Sequence, residues 1–267
     1  MSPPRRLPVS SGGVSLYAEC WGEAGPVLVL GHGFGGSARN FRPQARALQT
    51  SHRVVLFDAR GHARSDAPAA AEAYRPECFV ADLAGVLDAI GVERAVVGGL
   101  SMGAGVALRF ALEHPGRVAG LVLSAFPRAV DEPAHVPWAL GFAEAIERAG
   151  IEVAGAETIW GRFDAKTADL IRRGFVEHAP HALVNTLREL IAVQPSPERL
   201  PGLAQLAVPS LVIVGSEDQA SLGPCRALGR LIPGARLVEI PGGGHIVNLT
   251  HPSEYNRALG EFLSSAG

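Results

Sequence analysis

Short apolar runs recur along the chain at Val27-Leu28-Val29-Leu30, Val54-Val55-Leu56-Phe57, Ala95-Val96-Val97-Gly98, Leu121-Val122-Leu123, Leu211-Val212-Ile213-Val214 and Leu237-Val238-Glu239-Ile240. Runs that are apolar at successive positions predict strands buried on both faces, as in a parallel sheet covered by helices. Helical spacing lies between them. Phe79, Leu83, Val86, Leu87 and Ile90 fit one face of a helix over 78–90, and 101–113 reads as a second helix ending before His114-Pro115-Gly116. Alternation of strand and helix predicts an α/β doubly wound sheet. Val14 to Glu19 alternates apolar and polar positions and predicts an antiparallel edge strand.

The alternation stops after Leu123. From about Pro127 to Leu206 the pattern is helical with proline-rich joints, and strands resume at Leu211. Helices set between two strands of one sheet predict an inserted cap. The expected organisation is therefore a core of residues 1–126 and 207–267 with a helical cap over 127–206.

Composition removes several classes of function. With 24 basic and 26 acidic residues and a net charge of −2, the chain has no basic field for nucleic acid and no polybasic membrane anchor. Cys20, Cys78 and Cys225 are far apart, which opposes both a disulfide framework and a zinc site. The first twenty residues have no continuous apolar stretch like that of a signal peptide, and no run approaches a membrane span. The expected setting is cytoplasmic. Arginine supplies every basic residue but Lys166, which points to a GC-rich bacterial source.

The sharpest candidate chemistry is Gly99-Leu100-Ser101-Met102-Gly103. A G-x-S-x-G carries weight only where a strand leads in and a helix leads out, and here both are predicted. Such a turn lifts a serine hydroxyl out of the sheet, but the hydroxyl needs a base. His245, in Gly242-Gly243-Gly244-His245 after the last predicted strand, is the best placed of nine histidines. A carboxylate should orient its ring. Asp218, just past Val214, is one candidate, with Glu217 and Asp131 as its rivals. The oxyanion of acyl transfer needs N–H donors, expected from the backbone of Met102 and of Phe34 in Gly31-His32-Gly33-Phe34-Gly35-Gly36. That glycine-rich loop lacks the Gly-Lys-Ser/Thr ending of a P-loop, so the nucleotide reading fails.

Taken together, His32-Gly33-Phe34, Asp58-Ala59-Arg60-Gly61-His62-Ala63-Arg64-Ser65, Gly99 to Gly103, Gly215 to Asp218 and Gly244-His245 resemble the α/β-hydrolase superfamily over nearly the whole chain. The look is nearest to its 3-oxoadipate enol-lactonase and small carboxylesterase branch. The resemblance implies the order nucleophile, acid, histidine, hence Ser101, Asp218, His245. It favours Asp218 because the acid commonly ends a Gly-x-x-Asp segment. It also implies structural roles for Arg60 and His62. Because nucleophile, base and oxyanion donors all come from the protein and no ligand cluster appears, no metal or organic cofactor is expected. Ala63 stands where the family usually has a second glycine, a change expected to narrow or stiffen that loop. Members with an aspartate nucleophile are disfavoured by the serine at 101.

Trp138, Phe142 and Trp160 in the predicted cap are candidate pocket residues, although aromatics there more often serve packing. If they line the site, the substrate is a small, largely apolar ester or lactone. Carbon–carbon hydrolysis of a diketone, acyl transfer, or ligand reception on the same scaffold are the alternatives. His178 and His181 are spaced i, i+3, and solvent exposure on a shared helix face is expected rather than metal binding.

Overall fold

The computed structural model describes residues 3–265. The predicted apolar runs fall in its strands. In chain order these are β1 (Arg5–Ser11), β2 (Val14–Trp21), β3 (Val27–Gly31), β4 (Arg53–Phe57), β5 (Ala95–Leu100), β6 (Val118–Ser124), β7 (Ser210–Gly215) and β8 (Arg236–Ile240). They form one sheet in the order β1-β2-β4-β3-β5-β6-β7-β8. Every pair from β4 to β8 is parallel, while β1–β2 and β2–β4 are antiparallel.

Three strands depart from expectation. β2 is antiparallel as expected, but it is not at the edge. β1 pairs outside it through a turn at Gly12-Gly13. β1 shows only Leu7 and Val9 as apolar alternation and contains Pro8, which an outer strand tolerates because its missing N–H faces no partner. At the other edge, β8 is only partly buried, so its apolar run reflects an edge covered on one side rather than a strand enclosed on both.

Helices cover both faces. On one side α2 (Pro76–Ile90) and α3 (Met102–Glu113) pack with Leu83, Val86, Leu108 and Phe110 against Val29, Val97 and Leu121. On the other, α1 (Arg42–Leu48) and the C-terminal helix Pro252–Ser265 bring Ala45, Leu48, Tyr255 and Leu259 onto Leu30, Val54 and Val122. Glycine at 91, with φ 73°, ends α2 in the left-handed conformation typical of a helix stop.

Between β6 and β7 the chain is helical, as the sequence predicts. It contains α4 (His135–Thr158), bent at Gly150, then α5 (Ala165–Phe175) and α6 (Pro180–Thr186). These helices bury Phe142, Ile146, Trp160, Phe175, Leu183 and Leu187 in a third cluster. Met102 and Val106 of α3 belong to the same cluster. The inserted helices therefore rest on the helix that begins beside Ser101. No helix among the described residues is long and apolar enough to cross a membrane.

Candidate active site

Ser101 sits between β5 and α3 with φ 52° and ψ −110°, a conformation that costs a side-chain-bearing residue roughly 1–3 kcal/mol. The surroundings hold it there. Its N–H donates to Ser124 O at 2.8 Å, and its carbonyl accepts from Gly105 N at 3.0 Å. The flanking glycines are required by the backbone of Gly31 at the end of β3. A Cβ at Gly99 would stand 2.4 Å from Gly31 O, and one at Gly103 would stand 2.3 Å from it. The motif's glycines thus let the turn press against the neighbouring strand. The side chain of Ser101 remains partly exposed.

Asp218 and His245 come from different loops that are tied together. Ser216 N donates to Ile240 O and Glu217 N to Gly243 O, each at 2.9 Å, pinning the loop after β7 to the loop after β8. His245 Nδ1 then donates to Asp218 Oδ2 at 2.8 Å. That bond leaves Nε2 as the lone-pair nitrogen, the tautomer a general base requires. Asp218 is only 6% exposed. Burial alone would raise its carboxyl pKa, but hydrogen bonding and charge from His245, with help from Ser221, hold it below the ordinary value. Ser221 Oγ also lies 3.4 Å from His245 Nδ1.

The rivals are elsewhere. Glu217 is exposed, and Asp131 pairs with Arg199 at 3.7 Å. Ser101, Asp218 and His245 thus follow β5, β7 and β8 at one end of the sheet, where open α/β sheets bind ligands. Among the described residues, Ser101 Oγ has no hydrogen bond to His245; the structure joins the acid to the histidine and leaves the serine hydroxyl free.

The loop after β3 passes beside Ser101, since a Cβ on Gly33 would lie 3.6 Å from the serine Cβ. Gly36 N donates to Gly33 O at 3.0 Å, closing a turn with Phe34 and Gly35 at its centre. His32 Nδ1 donates to the same carbonyl at 2.8 Å, and His32 Nε2 accepts from Ala59 N at 2.9 Å. A trans peptide points its N–H opposite its C=O, so holding Gly33 O aims the Phe34 N–H the other way. Among the described residues neither that N–H nor the Met102 N–H has a hydrogen-bond acceptor.

Several residues behave differently from the sequence reading. His178 is not exposed and is not on a helix face with His181. It lies before α6, is 5% exposed, and sets Nδ1 3.0 Å from Phe175 O and Nε2 3.0 Å from Gly36 O. His181 is exposed as expected. Trp160 packs within the inserted helices, its ring lying over Gly155 and 5.6 Å from Phe175. Phe142 contacts the Phe34 turn, with ring centroids 6.1 Å apart, and Trp138 stands 6.1 Å behind Phe142. No local pattern in the sequence signals that Phe34, Phe175 and His178 meet. Arg60 forms a buried two-pronged pair with Asp82 at 2.7 and 2.5 Å, as its structural role implies. Ala63 adopts φ 45°, taking the left-handed conformation a glycine would hold there more easily.

His32, His62 and His178 form a buried row, with neighbouring ring centroids 5.0 Å apart. Burial pushes His32 down to about 4, and it also pushes His62 and His178 down. In the unfolded chain each imidazole titrates near about 6.5. Below that pH the unfolded state takes up protons that the folded state refuses. The stabilisation is therefore complete above about 6.5 and is lost as pH falls toward about 4. For His32 alone this amounts to about 3 kcal/mol. We expect the urea midpoint to drop steadily over that window and His62→Phe to flatten the slope. A midpoint independent of pH there would contradict it. Among the described residues no group of three His, Cys, Asp or Glu side chains is arranged to hold a metal ion.

Known proteins share this architecture. An esterase from Thermogutta terrifontis superposes with TM-score 0.84 at 28% identity, covering 99% of both chains. An enol-lactonase from Burkholderia xenovorans superposes with TM-score 0.84 at 26% identity, covering 98% of this chain and all of its own. Epoxide hydrolase B of Mycobacterium tuberculosis is 46% identical over 101 residues, which are 38% of this chain and 28% of that protein. The model of the alpha/beta hydrolase family matches residues 27–258, a span reaching from the first parallel strand to the C-terminal helix. With the eight-stranded, mostly parallel sheet and its covering helices, that match shows that this chain belongs to the α/β-hydrolase family.

Proposed function

We propose that the protein is a serine hydrolase that cleaves a small, largely apolar carboxylic ester or lactone through an acyl-serine intermediate. The observation that carries this reading is the 2.8 Å bond from His245 to buried Asp218, formed on strand ends beside the strained Ser101 turn. In the first step Ser101 Oγ bonds to the carbonyl carbon while its proton passes to His245 Nε2. The carbonyl oxygen becomes an oxyanion facing the free N–H groups of Phe34 and Met102. His245 then gives the proton to the leaving alkoxide as the C–O bond breaks. Water attacks the acyl-serine with His245 again as base.

Residues 127–206 act in this reading as a cap, whose Phe142 packs against the Phe34 turn with Trp138 behind it. The names of the esterase and enol-lactonase agree with ester or lactone chemistry. The likeness to an epoxide hydrolase is local, and Ser101 supplies the alcohol that an acyl-enzyme needs.

Fluorophosphonate labelling followed by peptide mapping, with p-nitrophenyl esters from acetate to octanoate assayed beside dihydrocoumarin, tests it. We expect the label on Ser101 and the best kcat/KM on short esters or the lactone. Labelling at another residue, or turnover confined to 1,3-diketones or to acyl transfer, would overturn it.

A further inference from the structure

The Phe34 turn is gripped from two sides. From the sheet core, His32 holds Gly33 O at the start of the turn. From the inserted helices, His178 Nε2 lies 3.0 Å from Gly36 O, at its end. The ring of Phe175 covers the middle, where a Cβ on Gly35 would stand 2.2 Å from its carbons. Phe34 itself meets Phe175 edge-on at 5.5 Å. Arg39, just beyond the turn, pairs with Glu177, next to His178. His62 fills the space between the two anchoring histidines, and its Nε2 is buried without a partner. That lone pair offers the turn nothing, so the hydrogen bond at Gly36 falls to His178.

We propose that His178 is a positioning residue for acyl transfer at Ser101: by bonding Gly36 O it fixes the Phe34 N–H, so the oxyanion donor is in place only when the inserted helices are packed down. The inference rests on the serine-hydrolase reading. A peptide N–H displaced by about 1 Å loses much of its value to a developing oxyanion, while ground-state binding of the ester changes little. His178 never touches the substrate in this arrangement; it acts through the turn.

The two nitrogens of His178 make the test specific: each faces a different carbonyl, and a neutral imidazole carries a single N–H, which the proposal assigns to Nε2, toward Gly36 O. Glutamine can place an N–H near the Nε2 position, toward Gly36 O. Asparagine can place one near Nδ1, toward Phe175 O, which would serve only the inserted helices. The variants His178→Ala, His178→Asn and His178→Gln are compared on p-nitrophenyl acetate, with the affinity of trifluoroacetophenone as a second readout. That ketone forms a tetrahedral adduct on the serine and so senses the oxyanion donors.

We expect His178→Ala and His178→Asn to lower kcat by about 10- to 100-fold with KM changed less than about 3-fold, and to weaken the ketone in parallel. His178→Gln should restore most of that loss. Unchanged kcat in His178→Ala, or an asparagine variant that outperforms the glutamine one, overturns the proposal. If His178→Ala does not fold, the asparagine and glutamine pair decides. Wild-type protein that neither hydrolyses the ester nor takes fluorophosphonate at Ser101 overturns the serine-hydrolase reading, and this inference with it. Labelling at Ser101 with indifferent His178 variants overturns this inference alone.

Discussion

Ser101→Ala is expected to lower kcat on a good ester by about 10⁴-fold or more, about 5 kcal/mol of transition-state stabilisation. The fold should survive. The residue's φ of 52° is imposed by the turn, and alanine meets the same strain that serine does. Glycine does not. Ser101→Gly should be as inactive as the alanine variant yet more stable by about 1 kcal/mol, because it relieves the backbone cost that Ser101 bears. Initial rates and thermal melts of both variants check the two halves of this result. An alanine variant with a tenth of wild-type activity would remove Ser101 from the mechanism. A glycine variant that melts below the alanine variant would show that the turn is not strained.

The second large effect concerns the acid. Asp218→Asn keeps the shape of the side chain but removes its charge, and its amide can donate to His245 Nδ1 and favour the wrong tautomer. A fall in kcat of roughly 10⁴-fold is expected, with little change in folding. Glu217→Gln should cost less than about 3-fold, because Glu217 is exposed while its neighbour holds the histidine. Asp131→Asn should be similarly mild, since Asp131 pairs with Arg199. The wild-type pH profile carries a further expectation with a definite sign. Asp218 titrates below the ordinary carboxylate range, so it stays charged as pH falls toward 5. Any loss of activity between pH 7 and 5 therefore comes from groups other than this acid. Rates of the three variants across pH 5 to 9 measure all of this. If Glu217→Gln is the crippled variant, the acid role moves by one residue and Ser101 and His245 keep theirs.

Much of the candidate site was legible in sequence because its parts are local. A strand, a sharp turn and a helix around Ser101 need only residues 95–113, whose apolar run and glycines are contiguous. The same holds for Asp218 at the end of β7 and for His245 just past β8. Proximity between them was implied by the common end of a parallel sheet. The distinction between Asp218 and Glu217 was drawn from family resemblance; the structure separates them by burial and by one hydrogen bond.

What the sequence by itself determined is the alternation of buried strands and amphipathic helices, the helical insertion, and the turn that carries Ser101. Those follow from the spacing of apolar residues and from glycines within a few positions of one another. Only the tertiary structure decided that β1 forms an outer edge, since two alternating apolar residues beside Pro8 mean little until β2 offers a partner. It also decided the fate of His178. A histidine in a helical segment with no ligand set beside it reads as exposed, but Gly36 O, 142 residues earlier, meets its ring under the packed aromatics of the inserted helices. Burial of a polar side chain depends on the acceptor that makes the burial tolerable, and an acceptor so distant in sequence leaves no local pattern to read.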